Sequence, residues 1–85
     1  MQLFPKIRRH ADLFTRMAET VDADLPAAAI EGRVQEHDLR TAIFSCLGCD
    51  EAEACRQWLD AHSDGAGAPP SYCRNTALLQ RLAAG

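Results

Sequence analysis

The stretch CLGCDEAEAC, residues 46–55, contains three of the four cysteines of this chain, and the fourth is Cys73. Together they give the spacing C-x2-C-x5-C-x17-C. In a reducing compartment such thiols stay free, and four thiolates that meet at one point form a complete ligand set for a metal ion or an iron–sulfur cluster. The pattern therefore predicts that Cys46, Cys49, Cys55 and Cys73 bind a common centre.

Length and charge limit what the protein can be. Its 85 residues predict one domain, 1–85, with little stability to spare, so that a central crosslink would matter to the fold. The net charge of −3 is unfavourable for nucleic-acid binding. We find no secretory signal and no membrane-spanning run, and expect a cytoplasmic protein without a membrane partner. We expect no catalytic role, because no Ser/His/Asp arrangement, phosphate-binding loop or convincing carboxylate pair is found.

The N-terminal part of the domain, 1–34, has helical periodicity. A first helix is predicted to end near Thr20, and a short second helix is predicted over 26–31, closed by Gly32. The apolar face of the first helix is predicted at Ile7, Ala11, Phe14, Ala18 and Val21. His10 and His37 fall on polar stretches and are predicted to be solvated.

The four-cysteine part, 35–85, predicts three more helices. The first runs over 35–47; the second begins at Asp50, with Glu53 completing a capping box; the last begins near Asn75. A Gly/Ala/Pro-rich loop, expected to be flexible, fills about 63–71. We therefore predict a small all-α bundle of about five short helices, with the C-terminal helices organised around the four-cysteine centre.

Five further residues are predicted to surround the centre. Gly48 lets the CxxC backbone approach a metal closely and is predicted to end its helix in the left-handed conformation. Arg56 and Arg74 lie next to cysteines in the sequence and could balance an anionic cluster. Asn75 begins a helix whose free N–H groups favour thiolates, and Trp58 is predicted to shield one side from water.

The spacing favours a cluster without settling the identity of the centre. Structural zinc usually takes two short pairs, whereas here only Cys46 and Cys49 form one. A [4Fe–4S] cluster is larger and can accept ligands that approach separately, as Cys55 and Cys73 would. One Zn²⁺ remains an alternative, as does a dithiol/disulfide switch with Cys46–Cys49 and Cys55–Cys73 as pairs. Buried thiols without a ligand are a further alternative for Cys46 and Cys55.

Three functions follow from these centres. The first is a cytoplasmic iron–sulfur protein that senses oxidant or iron, or carries one electron. The second is a zinc-stabilised protein-interaction module, and the third is a dithiol/disulfide redox switch. We expect the partner to be another protein.

Two resemblances agree with these predictions. The segments FTRMAET, CLGCDEAEACRQWL and YCRN resemble a small uncharacterised bacterial family with the same four cysteines, which implies no activity. The C-x2-C-x5-C segment also resembles the WhiB-like iron–sulfur regulators, which implies [4Fe–4S] ligation by Cys46, Cys49 and Cys55. In that family the remaining cysteine precedes the triplet, whereas Cys73 follows it here. The glycine-rich turn and basic tail of those regulators are absent from this sequence, so DNA binding is not implied.

Overall fold

Five α-helices make up the fold of residues 3–84, which are the residues that the computed structural model describes. No strand occurs in this range. The helices are α1 (Leu3–Thr20), α2 (Leu25–Ile30), α3 (Glu36–Leu47), α4 (Ala52–Ala61) and α5 (Thr76–Ala84). The all-α prediction is therefore confirmed. The Cα radius of gyration is 12.2 Å, close to the roughly 12 Å expected of a compact domain of this length.

The apolar face of α1 supplies the largest part of the core. Phe14, Met17 and Ala18 are buried on it, and Leu13 widens the stripe. Burying each large apolar side chain contributes about 1.5–3 kcal/mol, so this stripe fixes how α1 packs. α3 and α4 are the two helices that pack most extensively against it.

The short helix α2 has a polar start and a glycine end. The carboxylate of Asp24 accepts a hydrogen bond from the Ala27 N–H at 3.0 Å, and satisfies a donor that the first turn would otherwise leave free. Gly32 has a φ of +77°, a left-handed conformation that side-chain-bearing residues adopt reluctantly. The predicted second helix is thus confirmed, with its start one residue earlier at Leu25.

The predicted start of the fourth helix is wrong. α4 begins at Ala52, and the residue before it, Glu51, makes no side-chain capping bond. Glu53 does not reach back to Asp50; its carboxylate pairs with Arg56 one turn further along the helix. An i,i+3 ion pair on the exposed face therefore replaces the capping box.

The connection from α4 to α5 is irregular, but it is attached to the rest of the domain. The Ala66 N–H donates to the Thr20 carbonyl oxygen at 2.8 Å, which joins the loop to the end of α1. Pro69 is buried. After the connection, α5 buries Leu79 and Leu82 in the core. None of the helices in residues 3–84 combines the length and the apolar character needed to cross a bilayer.

Candidate metal centre

The four cysteines line a single cavity of about 30 Å³, although they come from four different segments. Cys46 lies in the last turn of α3, Cys49 in the turn that follows, Cys55 in the first turn of α4 and Cys73 in the connection just before α5. All four are half-buried free thiols. The structure thus brings the four predicted ligand residues together at one place.

The CxxC turn continues α3 for one more residue. Gly48 donates its N–H to the Phe44 carbonyl oxygen at 3.1 Å, and Cys49 donates to the Cys46 carbonyl oxygen at 3.0 Å. The φ of Gly48 is −79°, so the predicted left-handed stop is wrong: the chain turns by tightening a right-handed helix end. The Glu51 N–H then points at the Cys49 sulfur, 3.4 Å away.

His10 is the main residue that the sequence prediction missed. It was predicted to be solvated, but only 5% of its surface is exposed and it lines the cavity. Its Nδ1 lies 3.4 Å from the Cys46 sulfur. Burial, with smaller contributions from Lys6 and Arg9, lowers the pKa of His10, which disfavours the charged imidazolium. The sequence does indicate its burial through spacing: His10, Phe14 and Met17 follow one another at intervals of four and three, which places them on one face of the helix.

The remaining cavity wall is mostly apolar. α1 contributes Leu13, Phe14 and Met17, and Tyr72 lies beside Cys73 on the opposite segment. Burial and the nearby cysteines raise the pKa of Tyr72. Low polarity strengthens every charge interaction made inside the cavity.

Two of the thiols are held strongly in their neutral form. The pKa values of Cys46 and Cys55 are raised to about 11, chiefly by burial and then by the neighbouring cysteines. Arg16 opposes this shift at Cys55. Four adjacent sulfurs in an apolar cavity cannot all ionise unless positive charge enters with them. A cationic centre would supply that charge and displace the thiol protons.

Binding of a centre requires side-chain rearrangement. As the thiols are oriented in residues 3–84, no group of three or more His, Cys, Asp or Glu side chains is placed to hold a metal ion. The cavity of about 30 Å³ has room for at most two or three water molecules, since one water needs about 10–15 Å³. The four sulfurs would therefore have to move closer together to bind one ion, and a cubane cluster would also require a wider cavity. The donor chemistry fits, because four soft sulfurs are the preferred set for zinc and for iron–sulfur clusters.

Two of the five predicted surrounding residues line the cavity: Arg74 and Asn75. Asn75 is buried, and its Nδ2 donates to the Ala42 carbonyl oxygen at 2.9 Å, which joins the start of α5 to the middle of α3. A guanidinium nitrogen of Arg74 lies beside Gly48, 3.5 Å from where a β-carbon there would stand. Of the two predicted arginines, Arg74 is thus the one that lies beside the CxxC turn.

Gly48 lies within the CxxC turn itself, whereas Arg56 and Trp58 lie away from the cavity. Arg56 is exposed and pairs with Glu53 and Asp60, so it points along the surface of α4. Trp58 packs partly against the core and stacks on His62, with ring centroids 4.1 Å apart, outside the cavity lining. Trp58 does not line the cavity, and its shielding role stays a prediction. His62 closes α4 by a contact of its Nδ1 with the Trp58 carbonyl oxygen at 2.8 Å.

We expect slow alkylation of Cys46 and Cys55 in the metal-free, reduced protein. At pH 8, raising a pKa from 9.0 to about 11 lowers the thiolate fraction. That loss is about 100-fold, and the higher intrinsic nucleophilicity of such thiols recovers part of it. Iodoacetamide should therefore modify both at least about tenfold more slowly in the folded than in the urea-unfolded chain. Peptide mapping by mass spectrometry over time measures this, and equal rates in both states would contradict it.

Comparison with known proteins gives a family and no activity. No curated protein and no solved structure matches the chain. The comparisons show no likeness to the WhiB-like proteins. One family profile matches residues 1–85, which is the whole chain. The protein belongs to the family of unknown function DUF6455.

Proposed function

We propose that this DUF6455 protein binds a [4Fe–4S] cluster through Cys46, Cys49, Cys55 and Cys73. The cluster would serve redox or iron sensing, or one-electron transfer, in the reducing cytoplasm. One observation carries the proposal: thiols from four separate segments line the same cavity. Four reduced cysteines brought together in this way are uncommon as ordinary core residues and suit a thiolate-ligated centre.

The way the cysteines approach favours a cluster over a single zinc ion. Only Cys46 and Cys49 share a turn, while Cys55 and Cys73 come from α4 and from the segment before α5. Structural zinc sites are usually built from two such turns, whereas a cubane accepts ligands from several elements.

The surroundings suit an anionic centre. A [4Fe–4S]²⁺ core with four thiolates carries a net charge of about −2. The Glu51 N–H already faces the Cys49 sulfur, and Arg74 lines the cavity. Donors of this kind stabilise negative sulfur and tune the reduction potential of a cluster.

A sensing role draws support from how α5 is held. Within residues 3–84, only α1–α3 and α1–α4 pack through extensive contacts. α5 is attached by its buried leucines, by Asn75 and by a hydrogen bond from Arg33 to the Leu82 carbonyl oxygen, and Cys73 lies shortly before it. A cluster would join this segment to α3 and α4. Oxidative loss of the cluster would therefore loosen α5 and change the surface offered to a partner protein.

Reconstitution without oxygen tests the proposal. Reduced protein is treated with ferrous iron and sulfide, desalted, and assayed for metal and acid-labile sulfide. We expect about four irons and four sulfides per chain, a brown colour, and an electron paramagnetic resonance signal after reduction. A colourless, iron-free product would reject the proposal.

The same preparation distinguishes the alternatives. One zinc per chain in the purified protein, with unfolding by a chelator, would reject the cluster in favour of the interaction module. Disulfides that persist in protein purified without oxygen would reject it in favour of a thiol switch. Mass measurement before and after reductant detects these disulfides.

A further inference from the structure

We infer that His10 positions Cys46 in the centre, by donating a hydrogen bond from its ring Nδ1–H to the metal-bound sulfur. This inference rests on the proposed function, because it requires a centre at the cysteines. It adds a residue of α1, outside the four-cysteine part of the chain, to the site. His10 acts here through Cys46 and is not itself a ligand.

The geometry already joins the two residues. Nδ1 of His10 lies 3.4 Å from the Cys46 sulfur, although the two residues are 36 positions apart in the sequence. The imidazole is 5% exposed, so water does not compete for this contact. A buried ring held against one sulfur on a cavity wall restricts the rotamers that Cys46 can adopt.

The contact changes its character when the thiol loses its proton. In the metal-free protein, the Cys46 thiol donates to the backbone carbonyl oxygen of His10 at 3.5 Å. A metal-bound thiolate has no proton to donate, so its lone pairs can only accept. The ring N–H of His10 is then the complementary partner, and the tautomer with hydrogen on Nδ1 is stabilised.

An N–H···S bond should affect both the potential and the lifetime of the cluster. It withdraws electron density from the sulfur, which favours the more negative, reduced cluster and raises the reduction potential. It also keeps Cys46 oriented toward the iron. Losing an outer-shell partner of this kind usually weakens metal binding by about 10–100-fold.

Two substitutions of His10 test the inference, with His37→Leu as the control because His37 is exposed. His10→Leu keeps an apolar volume and removes the donor, whereas His10→Asn keeps an amide N–H near the position of Nδ1. After reconstitution, we expect His10→Leu to show a lower reduction potential and about tenfold or faster iron loss to a chelator. His10→Asn and His37→Leu should stay close to the wild type.

The outcomes separate this inference from the proposed function. If the wild type takes up no iron, the proposed function fails. If the wild type is loaded but His10→Leu keeps its potential and release rate, only the role of His10 is rejected. A directly bound nitrogen in pulsed electron paramagnetic resonance of the wild type would also reject it, in favour of ligation.

If circular dichroism shows that His10→Leu does not fold, the reduction potentials of two other variants, His10→Gln and His10→Asn, test the inference. The amide of glutamine reaches further than Nδ1, so His10→Gln should lose the wild-type potential that His10→Asn retains. Equal potentials in these two variants would overturn the inference.

Discussion

Replacing Cys73 by serine is expected to abolish assembly of the centre and the stabilisation that comes with it. Cys73 is the only ligand residue on the segment that leads into α5, and its backbone is fixed there by two hydrogen bonds. Its N–H donates to the Pro70 carbonyl oxygen at 3.0 Å, and the Thr76 hydroxyl donates to its own carbonyl oxygen at 2.8 Å. A serine oxygen would occupy the same place but is a poor ligand for soft metals.

The size of the effect follows from linkage between binding and folding. Removing a residue that hydrogen-bonds a ligand lowers metal affinity by up to about 100-fold, and removing a ligand itself should lower the affinity further. A centre present at 100 times its dissociation constant stabilises the fold by about 2.7 kcal/mol. For a domain of this size that is a rise in melting temperature of roughly 10–20 °C. The loaded wild type should show this rise, and Cys73→Ser should not.

Iron content and melting temperature together measure this prediction. The metal-free forms of both proteins should melt within a few degrees of each other, because the thiol is only half-buried. Ser71→Ala, an exposed position two residues away, is the matched control and should keep the full rise. If Cys73→Ser took up as much iron as the wild type and melted at the same temperature as the loaded wild type, Cys73 would not be a ligand.

Leu79→Ala is expected to be the most destabilising change that leaves the cysteines intact. Leu79 is one of the two largest fully buried side chains, with 0% of its surface exposed, and it attaches α5 to the core. Removing such a leucine typically costs about 2–5 kcal/mol, from lost burial and the cavity left behind. The free energy of unfolding of a small domain is only about 5–15 kcal/mol, so this variant should be close to unfolding.

Urea unfolding of the metal-free protein, followed by circular dichroism, measures the loss. Leu78→Ala is the matched control, since Leu78 is the neighbouring leucine of α5 and is only partly buried. We expect Leu78→Ala to lower the urea concentration at the unfolding midpoint clearly less than Leu79→Ala does, relative to the wild type. Equal midpoints for the two variants would show that α5 is not held by Leu79 in the way described.

Much of the fold could be predicted from the sequence because hydrophobic spacing is a local property. The stripe of α1 and the glycine end of α2 each depend on residues within one or two turns. The cysteines were found for a different reason: their clustering in a short chain is unusual in itself. Which other residues face them depends on packing between distant segments, and this a single sequence does not report.

The errors at the site have specific physical causes. Arg56 follows Cys55 directly, but adjacent residues of a helix point about 100° apart, so Arg56 lies on the exposed face. Arg74 follows Cys73 in a segment without helical geometry, where no such rotation applies. His10 was misread because its polarity was given more weight than its place in the apolar period.

The hydrogen bond from Asn75 to Ala42 fixes the chain only two residues beyond Cys73, so the distance from that sulfur to α3 is set locally. An insertion between α4 and Ala66 would leave this anchor and the bond from Ala66 to Thr20 in place. The start of the connection can therefore differ in length between relatives without moving the sulfur of Cys73.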